Sequence, residues 1–265
     1  MNNNDPLQSA PPAEVRVEIL DEVGWIALNR PAVSNAARPS MMRQLCDAID
    51  AFVADPTVKA LVIRGEGKHF LAGGDFTWLS EIADGAADDA GGEIYRWFQG
   101  ATRRITACPK PTIAAISGAA FTVGCELALA CDVRLVDRSA YFLQNWLDLG
   151  LIAPLGGAMW LPNLIGLAKA KEMLLECRRV GAEEAVEIGL ANAMYEDPEQ
   201  LYAQAQVRAL AAAARPPAAY ARMKQLIVAG AGCSIEDGWR AGVDAQSELL
   251  VGAAFRDAVE SRRKR

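Results

Sequence analysis

The chain of 265 residues carries a single histidine, His69, so a metal site built on two or three imidazoles is excluded. Its six cysteines, Cys46, Cys108, Cys125, Cys131, Cys177 and Cys233, include no C-x-x-C pair. That spacing removes zinc ribbons and thioredoxin-like redox sites. Basic charge is also scarce: 27 Lys and Arg stand against 33 Asp and Glu, giving a net charge of −6 and a pI near 5.0. A general nucleic-acid binder needs a basic face to neutralise phosphates, and this balance argues against one. No run of the chain reads as a membrane span. The longest apolar stretch, Thr112 to Cys131, has only 14 residues before the charge at Glu126, and reads as a buried strand entering a buried helix. The opening residues Met1-Asn2-Asn3-Asn4-Asp5-Pro6 lack the charged-then-apolar pattern of a secretory signal, so reduced thiols in a cytoplasmic protein are expected. The G-x-S-x-G elbow, the G-x-x-x-x-G-K-[ST] loop and the G-x-G-x-x-G fingerprint are all absent. A Ser-His-Asp triad would have to use His69, which reads as the end of a strand.

What is present is apolar surface. Residues of apolar type make up 52% of the chain, enough for a sizeable core. Residues 1–12 are polar and proline-containing, and read as a flexible arm. Val15 to Leu20 and Trp25 to Leu28 are β-rich runs around Asp21-Glu22-Val23-Gly24, a hairpin signature. Ser40 is a candidate N-cap for a helix carrying Met41, Leu45, Ile49 and Phe52 on one face and stopping before Asp55-Pro56. Further runs predict strands at Ala60–Ile63, Thr112–Ile116 and Asp132–Val136, with helices over about Gly92–Ala107 and Gly124–Ala130. This alternation predicts an α/β fold with a mostly parallel sheet. After about Leu151 the strand signals fade. Ala168–Leu175, Ala182–Ile188, Glu199–Ala214, Pro216–Ala229 and Ser234–Val251 read helical. The expected organisation is an α/β core over 13–200 and a helical region over 201–265.

Three segments concentrate glycine where a core does not need it. Phe70-Leu71-Ala72-Gly73-Gly74-Asp75 follows a strand, and paired glycines let backbone N–H groups approach a ligand. An ordinary tight turn reads the same way. Gly118 to Glu126 is a strand-to-helix loop, and free N–H groups at a helix start favour developing negative charge. Glu126 stands in an otherwise apolar helix, where a lone carboxylate is costly to bury unless paired or catalytic. A solvated face or a structural ion pair is the alternative. The third segment, Leu149 to Gly157, joins the α/β part to the helices and is preceded by Trp146 and Asp148.

Taken in order, these segments resemble the enoyl-CoA hydratase/isomerase family, the crotonase superfamily, from about Val15 to the C-terminus. Leu28-Asn29-Arg30-Pro31 with Asn35-Ala36 resembles its first strand and adenine-contacting loop, and Phe70 to Asp75 its F-[SA]-A-G-[AG]-D loop. Pro111 to Gly118 resembles the P-[VT]-I-A-A-[VI]-x-G strand, and Gly124 to Asp132 the G-C-E-L-A-L-A-C-D helix almost letter for letter. Ala182-Glu183-Glu184-Ala185 and Gly189-Leu190-Ala191-Asn192 resemble the later A-E-E-A and G-L-V-[ND] segments.

The resemblance implies a spiral core of repeated ββα units followed by helices that build a homotrimer or a dimer of trimers. It implies an acyl-CoA thioester as substrate, coenzyme A entering only as part of it, and no prosthetic group, metal, nucleic acid or membrane partner. The family's two oxyanion-hole N–H groups fall on Gly74 and Val123, and its first catalytic glutamate on Glu126. The usual glycines at Thr122 and Val123 are replaced, which retains the donor and adds bulk. Asn35, Ala36, Ala72, Gly73, Gly74, Asp75, Phe76, Trp146 and Asp148 fall on substrate-contacting positions. The family's second glutamate is replaced by Trp146, whose indole donates a hydrogen bond but carries no proton between carbon and water. Asp148 lies two residues on, in a strand points to the same side as Trp146, and is a weak substitute for it. The adenine loop lacks the usual lysine, leaving Arg30, Arg38, Lys68 and the basic end Arg262-Arg263-Lys264-Arg265 as candidates for the phosphates. The leading expectation is an enzyme that stabilises a thioester enolate, most simply an enoyl-CoA hydratase. Isomerisation through a single carboxylate on an unusual, even aromatic, acyl group is the alternative within the family. A catalytically weak acyl-CoA binding protein is the alternative outside it.

Overall fold

The computed structural model describes residues 13–230 and 232–263. The expected arm at 1–12, and Lys264 and Arg265 of the basic end, lie outside the described residues. The strands are β1 (Val15–Leu20), β2 (Val23–Leu28), β3 (Ala60–Gly65), β4 (Leu71–Ala72), β5 (Thr112–Ile116), β6 (Ala119–Phe121), β7 (Val133–Asp137), β8 (Tyr141–Leu143), β9 (Val180–Gly181) and β10 (Ala193–Tyr195). The helices are α1 (Pro39–Ala54), α2 (Phe76–Ala83), α3 (Ala90–Glu93), α4 (Gln99–Ala107), α5 (Val123–Ala130), α6 (Gly157–Leu175), α7 (Ala182–Glu187), α8 (Pro198–Ala213), α9 (Pro217–Gly230), α10 (Ile235–Leu250) and α11 (Ala253–Arg263).

The chain opens with an antiparallel hairpin. Asp21 and Glu22 both adopt positive φ, 45° and 67°, the geometry that matches strand twist in a two-residue turn. From β2 onward the large sheet is parallel, in the order β1-β2-β3-β5-β7-β10. A smaller sheet, β4-β6-β8-β9, lies beside it. The chain visits the two sheets alternately: β3 then β4, β5 then β6, β7 then β8, each pair followed by helix. This is the repeated ββα spiral implied by the resemblance. One apolar core fills the space around the two sheets and α1, α4 and α5, with Phe70, Phe142, Met41 and Leu45 fully buried. A second core lies between the large sheet and α8, where Leu201, Ala205 and Ala209 cover Val23, Trp25, Val62 and Ile113. Buried on both faces, β3 and β5 show no polar alternation, as expected of a covered parallel sheet. The expected boundary at residue 200 falls inside α8, which packs with the core.

Several local expectations are corrected. The α1 helix starts at Pro39, whose fixed φ suits the first helical position, so Ser40 is not the cap. Ser40 instead donates its hydroxyl to Glu14. The single helix expected over 92–107 is α3 and α4 joined by a π-helical turn, Ile94–Phe98. The α6 helix begins eleven residues earlier than the sequence pattern indicated, at Gly157, and breaks at Gly166, whose φ of 77° is not helical. The segments forming α2, α11 and the short strands of the small sheet are too short or too polar to register as periodic patterns.

The C-terminal helices are tied to the core through Lys224 of α9. Its buried ammonium donates to Asp132 at 2.9 Å, to the carbonyl of Ile105 at 3.1 Å and to the hydroxyl of Thr112 at 3.3 Å. Tyr220 adds a hydroxyl donor to the same Asp132 carboxylate. Removing one partner of such a buried pair leaves the other uncompensated, at a cost of about 3–5 kcal/mol. Lys224→Ala is therefore expected to lower the melting temperature by on the order of 10 °C. Hydrogen exchange in α9 should accelerate ahead of exchange in β5.

Candidate active site

Three strands of the small sheet deliver the candidate residues. Leu71 and Ala72 of β4 pair in parallel with Ala120 and Phe121 of β6. Continuing that register sets Gly73 opposite Thr122 and Gly74 opposite Val123. On the other side, Phe121 pairs with Leu143 of β8, and the Thr122 N–H donates to the Leu143 carbonyl at 2.8 Å. Gln144 and Trp146 therefore follow directly after the end of the third strand, beside the two loops.

The two N–H groups are free for a reason of geometry. Gly74 forms a parallel bridge with Ala37 in which the Gly73 carbonyl accepts from Ala37 and the Asp75 N–H donates to Ala37. In such a bridge the intervening N–H, that of Gly74, points the other way. Val123 is the first residue of α5, so its N–H has no carbonyl one turn back to meet. The approach of the two loops is close. Gly73 has φ of 94°, and a Cβ there would stand 2.9 Å from the Thr122 hydroxyl. Thr122 itself adopts φ 40° and ψ −101°, a strained conformation for a β-branched residue that glycine adopts freely.

Glu126 lies one turn after Val123 on α5 and is fully buried. Its Oε1 accepts from the N–H groups of Gly157 at 2.7 Å and Leu155 at 3.1 Å. Gly157 must be glycine here, since a Cβ would come within 2.8 Å of that oxygen and 3.0 Å of the Gln144 amide nitrogen. Glu126 Oε2, the Trp146 indole nitrogen and both polar atoms of the Gln144 amide are buried without a hydrogen-bond partner in the described residues. The indole lies close enough to the carboxyl to lower its pKa, yet falls short of hydrogen-bond geometry. Burial is the dominant influence and pushes the Glu126 carboxyl up to about 7, against the N–H groups of Gly157 and Leu155 and the indole.

A cavity of about 510 Å³ opens beside these groups. Gly74, Phe76, Val123, Trp146 and Leu155 line it, with α2 and the π-helical turn supplying Trp78, Leu79, Ile94 and Phe98. The structure thus brings Gly74, Val123, Trp146 and Phe76 to the cavity wall, with Glu126 buried behind them, one turn after Val123 and not itself lining the cavity. Ala72 and Gly73 form the approach to Gly74 without lining the cavity.

Other expected contacts are engaged elsewhere. Asp75 is buried; its carboxylate caps α2 through the N–H groups of Thr77 and Trp78 and pairs with Arg30 at 2.6 Å. Burial pushes this carboxyl up, but Arg30 and the capping N–H groups outweigh it and hold it below its ordinary value. Asn35 is fully buried and donates to the carbonyls of Glu66 and His69, so its side chain clamps two loops. The Ala36 carbonyl accepts from Arg30. Asp148 is exposed and does not line the cavity. Trp146–Leu149 forms a 3-10 turn, not a strand, and at three residues per turn Asp148 points away from the face of Trp146. Arg30 and Arg38 both pair with Glu14, leaving Lys68 exposed and unspent. His69 precedes β4, and its Nδ1 accepts from the Ala119 N–H at 3.1 Å, which binds the roots of the two loops together. Burial, aided by Lys68, lowers its pKa and keeps that lone pair available. Gln144 carries no signal in the sequence, and the N–H pair of Leu155 and Gly157 carries only the Gly156-Gly157 dipeptide.

The family model for enoyl-CoA hydratase/isomerase matches residues 18–259. The chain belongs to this family. It is 34% identical over 249 residues to a probable enoyl-CoA hydratase of Rhodobacter capsulatus, covering 93% of each chain. It is also 34% identical over 202 residues to the 1,2-epoxyphenylacetyl-CoA isomerase of Escherichia coli, covering 76% of this chain and 77% of that one. Among solved structures, a putative enoyl-CoA hydratase from Streptomyces coelicolor superposes with a TM-score of 0.88 at 28% identity, covering 100% of this chain and 97% of the other. The crotonase fold and the membership of an acyl-CoA lyase and isomerase family therefore stand together. No described helix is long and apolar enough to cross a membrane.

The raised Glu126 pKa has a thermodynamic consequence in this family member. Between the unfolded value near 4.5 and the folded value of about 7, the folded state holds a proton the unfolded state has lost. Stability therefore falls as pH rises through that window, by roughly 3 kcal/mol in total. Glu126→Gln removes the titration, so its melting temperature should exceed that of the wild type at pH 8 by several degrees, and the difference should shrink toward pH 5. Calorimetry across that range measures it; a gain independent of pH would contradict the assignment.

Proposed function

We propose that this protein acts on acyl-CoA thioesters by stabilising the thioester enolate, with reversible hydration of a 2-enoyl-CoA as the leading reaction. The observation that carries this reading is the level pairing of two free backbone N–H groups, on Gly74 and Val123, next to the buried carboxyl of Glu126. A thioester carbonyl oxygen accepting from both N–H groups gains negative charge as the α-carbon loses its proton or water adds to the β-carbon, and gives that charge up when the α-carbon is protonated. Donors already aimed at that oxygen stabilise the charge without reorganisation, and one such donor is worth about 10²–10³ in rate. Glu126 Oε1 is held by Gly157 and Leu155, so the free oxygen, Oε2, moves the proton. A carboxyl poised near neutrality both gives and takes that proton at working pH. Coenzyme A enters as part of the substrate, no prosthetic group is required, and Lys68, exposed just before the loop at 70–75, is a candidate for its phosphates.

Isomerisation of the double bond is the second reading, and Trp146 favours it. With an indole where the family carries a second glutamate, Glu126 alone carries a proton from one carbon to another, and water need not be activated. The C-terminal helices leave Ile235, Trp239, Val243, Val251 and Phe255 exposed, which supports assembly as a homotrimer or a dimer of trimers.

Glu126→Gln is expected to lower kcat by about 10²–10⁴ while coenzyme A affinity stays within a few-fold. Asp148→Asn should be nearly silent. Gly74→Pro, which deletes one donor, should cost about 10²–10³ in kcat if the variant folds. Loss of the enoyl absorbance from a 2-enoyl-CoA reports hydration, and its gain from a 3-enoyl-CoA reports isomerisation. Full activity of Glu126→Gln would remove Glu126 from the chemistry, whereas no turnover by the wild type in either assay would leave only a binding role.

A further inference from the structure

We propose that the acyl group this protein takes is large and wholly apolar, about eight to twelve carbons long, with no hydroxyl or carboxylate at its far end. The inference rests on the reading of the cavity as an acyl-CoA site and adds the substrate class.

Size is the first argument. The cavity measures about 510 Å³. At roughly 30 Å³ per water-sized group, the three carbons beyond the carbonyl of a crotonyl group leave about four-fifths of it unfilled. Wall atoms facing a gap forfeit their dispersion contacts, so a short acyl group uses little of the surface this cavity offers. Nine or ten carbons occupy about half of it, ordinary for a bound ligand.

The chemistry of the wall is the second argument. Trp78 and Phe98 stack at 5.1 Å with their rings 13° apart, and Ile94, Leu149 and Ile152 complete the far part of the lining. The hydroxyl of Ser80 is spent on the carbonyl of Phe76 in its own helix, at 2.9 Å. The Trp146 indole N–H is buried toward Glu126 and not exposed to the cavity. A polar atom on the acyl tail would leave water and find no partner, which a site of this kind rejects.

Charge at the far side is the third. Residues 81–93 carry Glu81, Asp84, Asp88, Asp89 and Glu93 and no cation. Arg96 offsets two of these, lying 3.6 Å from Asp89 and 3.5 Å from Glu93. The net negative field that remains repels an acyl tail ending in a carboxylate.

Two measurements test the proposal. The first is affinity of unreactive saturated acyl-CoAs of 4, 6, 8, 10 and 12 carbons by calorimetry. The second is kcat/KM for the matching 2-enoyl and 3-enoyl thioesters, with a phenyl-ended acyl-CoA of ten carbons as a separate arm. Both should rise with length, by at most about fourfold per methylene, and by on the order of 100-fold from four to ten carbons. A ten-carbon thioester ending in a carboxylate should fall back to the four-carbon level. Ala90→Phe and Leu149→Phe, each shortening the cavity, should cut the ratio of ten-carbon to four-carbon kcat/KM at least tenfold. Equal or better use of four carbons, or equal use of the carboxylate-ended tail, overturns the proposal. If affinity rises with length but no thioester turns over, the substrate class stands and the catalytic reading falls. If no acyl-CoA binds, both fall.

Discussion

The parallel ladder of the small sheet is the constraint on which the site depends. Its strands are only two or three residues long, yet their register decides which backbone groups stand side by side. Because Ala72 pairs with Phe121, Gly74 is level with Val123; because Phe121 pairs with Leu143, Trp146 arrives at the same rim. A slip of one residue between β4 and β6 would turn one of the two N–H groups away. Much of the surrounding structure serves to prevent that slip. Asn35 clamps the carbonyls of Glu66 and His69, the Phe70 N–H donates to the Ser117 carbonyl, and the Ala119 N–H donates to His69. Arg30 joins Asp75 to Glu14 behind the first loop.

Burying Glu126 sets a second balance. Four buried polar atoms around it, on Glu126, Trp146 and the Gln144 amide, lack partners, and each such group costs about 1–3 kcal/mol. Thr122 adds backbone strain beside them. Stability is lower here than an apolar packing of the same volume would give, at a place where a neutral-range carboxyl is useful. The opposite end of the same helix is conventional: the pair of Lys224 with Asp132 is fully hydrogen-bonded and holds the C-terminal helices in place.

The sequence showed this site through its exceptions. Paired glycines after a strand and a lone glutamate in an apolar helix stand out locally and mark Gly74 and Glu126, whereas Val123 is reached only through the family resemblance. Strands of the large sheet were visible for the same reason, since β3 and β5 are continuous apolar runs. What was not legible was relational. Asp75 and Asn35 look like loop polar groups in a string of letters, and only the fold reveals that Arg30 and two carbonyls engage them. Asp148 looked aligned with Trp146 because a strand was assumed; a 3-10 turn follows a different period. Gln144 carries no local signal at all, because its importance comes from burial next to a residue eighteen positions earlier.

The two N–H groups of Leu155 and Gly157 on one oxygen of Glu126 also govern stereochemistry. With Oε1 held by two donors, the carboxyl cannot exchange its two oxygens without breaking both hydrogen bonds. If Oε2 moves the proton as proposed, a proton withdrawn from the acyl group and a proton returned to it pass through the same atom. Suprafacial transfer is the stereochemical course that reading requires. On that reading a hydrogen label taken from one carbon would return to its neighbour to the extent that the indole and the apolar wall slow its exchange with water.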